Sequence, residues 1–478
     1  MAGGRKQPAP SPQPQKTLVI DNGASTLKAG LVSGSEAGEP LVIPNCIARD
    51  RYKKIYVAQE VDKCRDFSEI LFRRPVDRGF VVNWEAQRDI WDRQFLYADG
   101  PLRCDPGETR LILTEPPNSL PVLQSNCDQI VFEEYGFVSY HRGIGTCHNF
   151  FCARVSVLSR KYSVETNDAC CVLPGSTFNA YHDLQDIFRT PLDYPGVTNT
   201  PAEVMLVVDS GYSHTTVTPL LGGRPLHSAV RRLDVGGKLL TNYLARLLSL
   251  RHFDMRNETY IVNEMKEVAC FVSSDFKADM EKCWKGTRGE KRPDFLTGGG
   301  IAKEYILPDF DTRSKGLLCD YDPARHSKAR RMTSGTHVDE DALTLRSERF
   351  AIPELLFNPS DMGMRQPGLP ALIRQSLESL PTGLWPGLLA NIVVVGGNTL
   401  FDGFIQRLQQ EIVQQFPDDC VVRVARCSDP ITSTWHGAAN LARHRDIETL
   451  SVTKQEYDEH GQSRIARKFS LGPGFEWV

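Results

Sequence analysis

The 478-residue chain has thirteen cysteines but no Cys-x-x-Cys pair, and the total is odd even with Cys170 and Cys171 side by side. Neither a structural zinc site nor a disulfide framework is favoured, and a reducing compartment fits best. No apolar run approaches the roughly 20 residues that span a bilayer. The Pro- and Gln-rich start, MAGGRKQPAPSPQPQK, lacks the apolar core of a signal peptide. The expectation is a soluble intracellular protein with no membrane partner. Excess positive charge is missing too. A formal net charge of −3 excludes a globally basic nucleic-acid binder, although a local basic patch stays open because steering depends on distribution.

What is present is enough apolar material for two to four domain-sized units. Residues 1–16 cannot bury a core and are expected to be a disordered tail. From Thr17 the chain reads TLVIDNGASTLKAG, an apolar strand running into Asp21, Asn22 and Gly23, with Lys28 shortly after. From Val204, VMLVVDSGYSHTTV repeats the pattern as Asp209, Ser210 and Gly211. A third apolar strand, at 391–395, ends in Gly396, Gly397 and Asn398 and is expected to feed a helix whose apolar positions start at Phe401. A second Gly-Gly pair, Gly236-Gly237, is expected to open a helix with Leu239, Leu240, Tyr243, Leu244 and Leu247 on one face. Strands and helices alternate in both halves, which predicts two similar α/β lobes.

Two strand ends presenting Asp-x-Gly across a cleft are a place to clamp a triphosphate. Glycine allows the turn that points backbone N–H groups at phosphate oxygens, and Lys28 adds positive charge. Asp21 and Asp209 would hold a divalent cation through its water shell. Each motif alone also reads as a hairpin turn or a tight connection; the three in this order are far more specific. Three polar stretches interrupt the pattern, at 160–202, 283–300 and 320–342, the last carrying Arg325, Lys328, Arg330 and Arg331. They read as insertions, and the basic one as either an idle solvated surface or a contact with DNA phosphate or an acidic subunit.

These loops, together with DVGGKLLTNYL, VNEMKEVACFVSSDF, RFAIPELLFNPSDMG and TKQEYDEHGQSRIARKF, resemble actin and the actin-related proteins along almost the whole chain from Thr17. The resemblance implies an α/β fold of two lobes with duplicated ribonuclease-H-like topology, four subdomains in all, around a cleft for ATP and Mg2+. The first lobe would run over 17–203, with a shortened second subdomain near 45–80, and the second over 204–438, with 439–478 returning to the first. It implies that Asp21, Asn22, Gly23 and Lys28 form one phosphate loop and Asp209, Ser210 and Gly211 the other. Lys266, Glu267, Gly396, Gly397 and Asn398 would form the adenosine pocket.

The departures from actin matter most for activity. Gly145 stands where the family has the glutamine that orients the attacking water, Tyr212 where it has a metal-ordering aspartate, and Thr216 where it has a histidine near the nucleophile. Ala24 replaces a hydroxyl facing the terminal phosphate, and Ile431 a lysine beside adenine. Without a group to position water, hydrolysis loses an orientation contribution it depends on. The expectation is weak, unhydrolysed ATP at most. Loss of the apolar intersubunit loop between Asn45 and Gly79 points to a monomer that forms no filament.

Within the family the chain resembles a nuclear, non-catalytic branch, also found in cytoplasm, that serves the complex exchanging histone H2A for H2A.Z. That resemblance implies a Snf2-type motor and a zinc-containing subunit as partners, with the nucleosome reached through the complex. The rival readings are an active ATPase or sugar kinase of the superfamily and a cytoskeletal filament former.

Overall fold

A computed structural model describes residues 14, 16–33, 36–149, 204–284, 298–310, 313–321, 342–418, 420–444 and 446–470. The stretch 160–202, and with it the basic cluster from Arg325 to Arg331, lies outside the described residues.

Each lobe is organised by one strand that is apolar on both sides. Along Lys16–Asn22, Leu18 and Ile20 face one core and Val19 the opposite one, all fully buried. Along Val204–Ser210, Leu206 and Val208 face one side, Met205 and Val207 the other. Strands covered on both faces read as continuous hydrophobic runs, which is why VIDN and VMLVVDS carry no alternation.

The two sheets share one wiring. Lys16–Asn22 pairs antiparallel with Thr26–Ser33 and parallel with Thr109–Glu115, which pairs parallel with Ser139–Ile144. In the second lobe Val204–Ser210 pairs antiparallel with Thr215–Leu221 and parallel with Ile392–Val395, which pairs parallel with Val424–Arg426. The duplication places the two Asp-x-Gly turns at equivalent ends of equivalent hairpins.

Two smaller sheets extend the lobes. Ile47–Arg49 is flanked by Ile55–Val57 and Leu71–Arg73, and Lys303–Ile306 by Leu317–Asp320 and Ala342–Leu345. Residues 320 and 342 therefore belong to strands, and Cys283 closes the helix Phe276–Cys283, so the ordered framework reaches into the stretches expected to be loops.

Other boundaries also shift. The first strand starts at Lys16, one residue inside the expected tail. The helix after Gly396 starts at Phe404, because Gly397–Leu400 is a 3-10 turn and Gly403 adopts φ 82°, which leaves Phe401 ahead of the helix. In the helix Gly237–Arg251 the buried face is Leu240, Thr241, Leu244, Ala245 and Leu248; Leu239, Tyr243 and Leu247 flank it.

The expected lobe boundary at 438 cuts through the helix Ser433–Arg443. This helix already covers the first sheet: the fully buried Trp435 donates its indole N–H to Val19 O at 3.0 Å. A Cβ on Gly30 would sit 2.5 Å from that indole, so the close approach needs glycine. Beyond it Val452–Thr453 pairs with Ser139–Ile144, and Tyr457 stacks on Phe132 with centroids 4.6 Å apart. The C-terminal segment thus completes the first lobe. Among the described residues no helix is long and apolar enough to cross a membrane, and no disulfide is formed.

Candidate functional site

The first hairpin sets Asp21 directly opposite Lys28. The lysine Nζ lies 3.4 Å from one carboxylate oxygen of Asp21, and the Thr114 hydroxyl donates to the other at 2.6 Å. Gly23 turns the chain so tightly that a Cβ there would meet Thr26 O at 2.6 Å and Lys28 Nζ at 3.2 Å. Asn45 donates to Gly23 O at 2.8 Å and is itself held by Gln87. In the second hairpin Asp209 stands opposite Thr216, so the position that carries a lysine in the first half carries a neutral side chain. Gly396, at φ 91°, passes so close to this loop that a Cβ would fall 2.3 Å from Ser210 O.

These pieces enclose a cavity of about 430 Å³ between the lobes. Asp21, Asn22, Gly23 and Lys28 border it from the first lobe; Asp209, Gly211, Lys266, Glu267, Gly396, Gly397 and Asn398 border it from the second. The size lies within the range of small-molecule sites.

Ser210 is the exception. It is fully buried and its hydroxyl meets that of Thr215 at 2.8 Å, because strand alternation turns it away from the cleft while its neighbours Asp209 and Gly211 face in. Asn398 reaches the cavity wall, but its amide is spent on Ser210 Oγ at 3.2 Å and Gly211 O at 2.7 Å, tying two loops together. Lys266 is buried with acceptors on three sides, Asn263 Oδ1 at 2.9 Å, Thr241 Oγ1 at 3.0 Å and Gly237 O at 3.3 Å. Burial lowers its pKa, and its ammonium braces the pocket wall.

The glycines of the phosphate loops make their turns at the cost of their own donors: Gly23 N–H bonds Asp21 O and Gly211 N–H bonds His214 O. Among the described residues no backbone partner engages the N–H groups of Ala24, Ser25, Tyr212 or Ser213, which border the same cavity. These are the open donors, and reading the glycines alone passed over them. Thr114 was missed as well; a threonine at the end of an apolar strand gives no signal of its own.

Asp209 sits at the cleft floor. Desolvation, followed by the nearby charge of Asp21, pushes its carboxyl up to about 6, with Lys28 acting in the opposite direction. Two carboxylates sharing one lysine fit a hydrated divalent cation, whose charge would relieve the crowding and whose hard character suits oxygen ligands. Among the described residues no cluster of three or more His, Cys, Asp and Glu side chains is placed to hold a metal ion directly. Leu400, Phe401, Pro430 and Ile431 give the far end of the cavity an apolar lining suited to a base, while the Asp-x-Gly loops suit phosphates.

The positions that would drive hydrolysis are also in view. Gly145 borders the cavity beside Thr434 and Thr114 with no side chain to place a water. Thr216 lies in the strand behind Asp209, buried and outside the cavity lining. His214 does border it. Burial and then Arg232 lower its pKa to about 4, so it is neutral at pH 7, lodged under Gly79 with no partner for Nδ1 among the described residues.

The unit built on the small sheet of Ile47–Arg49, Ile55–Val57 and Leu71–Arg73 reaches across to the second lobe. Phe67 stacks on Tyr260 of the second lobe at 3.8 Å and 8°. The Arg74 guanidinium lies 4.9 Å from the centre of the Tyr212 ring while donating to Ser25 O at 3.1 Å, bridging the two phosphate loops. Arg232 donates to Arg78 O at 2.8 Å, and Lys238 pairs with Asp77 at 3.5 Å.

The family model described as Actin matches residues 13–470. The chain is 60% identical over 476 residues to "Actin-related protein 6" of Neurospora crassa, covering 99% of both chains. It is 44% identical to "Actin-like protein arp6" of Aspergillus fumigatus, over 96% of this chain and 95% of that one. To "Actin-related protein 6" of Drosophila melanogaster it is 31% identical, over 94% and 99%.

Proposed function

This chain belongs to the actin family, with a mixed α/β, actin-like fold, and we propose that it is a non-catalytic nuclear member of it. In this reading it is a structural subunit of an ATP-dependent remodelling complex that exchanges H2A for H2A.Z. The observation that carries the reading is similarity along the whole chain to proteins named actin-related protein 6, at 60% identity in Neurospora crassa. Its direct partners are then a Snf2-type motor and a zinc-containing subunit, and it meets the nucleosome through them as a monomer.

The cleft holds nucleotide without turning it over. The open N–H groups of Ala24, Ser25, Tyr212 and Ser213 face the phosphates, Lys28 adds charge, and Asp21 with Asp209 orders the water shell of Mg2+. Bound MgATP would bring Mg2+, whose charge would offset the crowded carboxylates of Asp21 and Asp209, and phosphates that both loops would hold. Gly145 leaves the attacking water unplaced.

Affinity purification of the tagged chain from nuclear extract is the test. Recovery of a Snf2-type ATPase and a zinc-binding subunit in near-equal amounts is expected; recovery of filaments, or of no remodelling subunit, overturns the reading. On the purified chain, millimolar MgATP is expected to raise Tm, since a ligand binding only the folded state stabilises it by mass action. Asp209→Ala is expected to abolish the shift, and phosphate release to stay at background. Turnover above background would make the protein an enzyme.

A further inference from the structure

The outer face of the small sheet carries a patch unrelated to the nucleotide site. Its inner face, with Ala48, Tyr56 and Phe72, packs around Phe67 and reaches Tyr260 and Phe310 of the second lobe. Alternation turns the other row outward. The register sets Arg49 directly between Ile55 and Leu71, which are 60% and 57% exposed. The hairpin then continues as Arg51, Tyr52, Lys53 and Lys54, all exposed, with Tyr52 at 72%.

Two acids of this tip, Asp50 and Asp66, are engaged, and the exposed Glu69 adds its charge near Arg51. Asp50 accepts the N–H groups of Tyr52 and Lys54, both at 2.9 Å, and the Tyr56 hydroxyl at 3.2 Å. Asp66 pairs with Arg51 at 2.9 Å. Arg49 and Lys53 are left as positive charge on this face of a chain whose net charge is −3, whereas Lys54 turns to the inner side and lies 4.7 Å from the centre of the Tyr56 ring. Lys53 also adopts φ 67°, a conformation that glycine or asparagine takes more cheaply, so the turn keeps a lysine at a position where it costs stability.

We propose that this face, centred on Arg49, Ile55 and Leu71 with Tyr52 and Lys53 at its rim, docks an acidic protein segment that carries apolar side chains. Charge complementarity sets the sign of the partner. The two apolar side chains set its class: a nucleic-acid backbone would satisfy the cations but leave Ile55 and Leu71 in water, whereas an apolar partner takes both out of it. The contacts of the inner face with both lobes hold the patch rigid, which lowers the ordering cost of binding. The proposal does not depend on nucleotide in the cleft.

The test uses the full chain and three fluorescent probes: a peptide alternating Glu or Asp with Leu or Phe, a Glu/Gly peptide of equal length and charge, and a short DNA duplex. The alternating peptide is expected to bind about tenfold more tightly than the Glu/Gly one, a 1.4 kcal/mol difference. Ile55→Ser with Leu71→Ser is expected to erase that advantage without weakening the Glu/Gly peptide. Arg49→Glu with Lys53→Glu is expected to weaken both peptides by about tenfold or more. Tm is expected to hold in every variant, the altered side chains being exposed. The proposal is overturned if neither peptide binds, or if the apolar pair makes no difference. It also falls if the duplex binds more tightly than the alternating peptide and is released by the charge reversal, which would make the face a phosphate surface.

Discussion

The two Asp-x-Gly hairpins are the same piece of architecture with different chemistry. In the first, Asp21 faces Lys28 at 3.4 Å and takes a 2.6 Å hydrogen bond from Thr114. In the second, Asp209 faces Thr216, has no lysine of its own, and is pushed up to about 6. The loop apex differs as well. Ala24 leaves the first open, while Tyr212 fills the second with a ring under Arg74. One half is electrostatically settled on its own, and the other is completed only by what lies across the cleft. Duplicated topology fixes where a phosphate loop sits; the side chains opposite the aspartate decide whether it is at rest without a ligand.

The comparison breaks most visibly at Lys28. Lys28→Met leaves two carboxylates facing one another with no cation between them. An expected cost of about 2–4 kcal/mol follows, below that of a fully buried pair because both side chains keep some water contact. Urea unfolding at pH 7 and pH 5 measures it. The loss is expected to shrink at pH 5, where Asp209 takes a proton and the repulsion is relieved. Equal losses at both pH values would mean that the lysine acts by packing.

Much of this cleft was legible before any coordinates. An apolar run that ends in Asp-x-Gly, repeated in a second half, marks two strands buried on both faces and the turns between them, and those turns do meet at one cavity. What failed was direction. Ser210 looks like a loop ligand beside Asp209, but one step along a strand turns a side chain to the opposite face. Lys266, expected in the adenosine pocket, does border the cavity, but its ammonium is taken up by Asn263, Thr241 and Gly237 O. The Phe67–Tyr260 stack and the Trp435 cover on Gly30 join positions far apart in the chain, and nothing local in either partner announces the other. The helix Ser433–Arg443 crosses the expected lobe boundary for the same reason, since its apolar spacing does not say which sheet it covers.

A smaller effect of opposite sign is expected at Asp209. A carboxyl with a raised folded-state pKa costs stability wherever it is ionised in the folded protein. That cost is fully present above about pH 6 and vanishes below the unfolded value of about 4. Asp209→Asn is therefore expected to stabilise the nucleotide-free protein by roughly 1–2 kcal/mol at pH 7, with the gain fading as pH falls from about 6 to 4. The same variant is expected to lose any stabilisation by MgATP, the usual exchange between stability and a strained site. A gain that persisted unchanged at pH 4 would sink the electrostatic account and leave only packing.

The least effect, and the sharpest reading of the difference between the loops, concerns Tyr212 and Arg74. The guanidinium over the ring joins Arg74 to the second loop, and its hydrogen bond to Ser25 O joins it to the first. A cation over an aromatic face at a half-exposed site is worth about 0.5–1 kcal/mol. Tyr212→Leu keeps most of the apolar volume and removes the ring's negative face, whereas Arg74→Met keeps the stem and removes the charge. Each alone is expected to lower stability slightly, and a double-mutant cycle is expected to show a coupling of about 0.5–1 kcal/mol, because the second change removes an interaction already lost. No first-loop substitution at Ala24 has such a partner, so Ala24→Ser with Arg74→Met is expected to be additive. Should the Tyr212 cycle prove additive as well, the ring fills space without closing the cleft, and the two loops differ in charge alone.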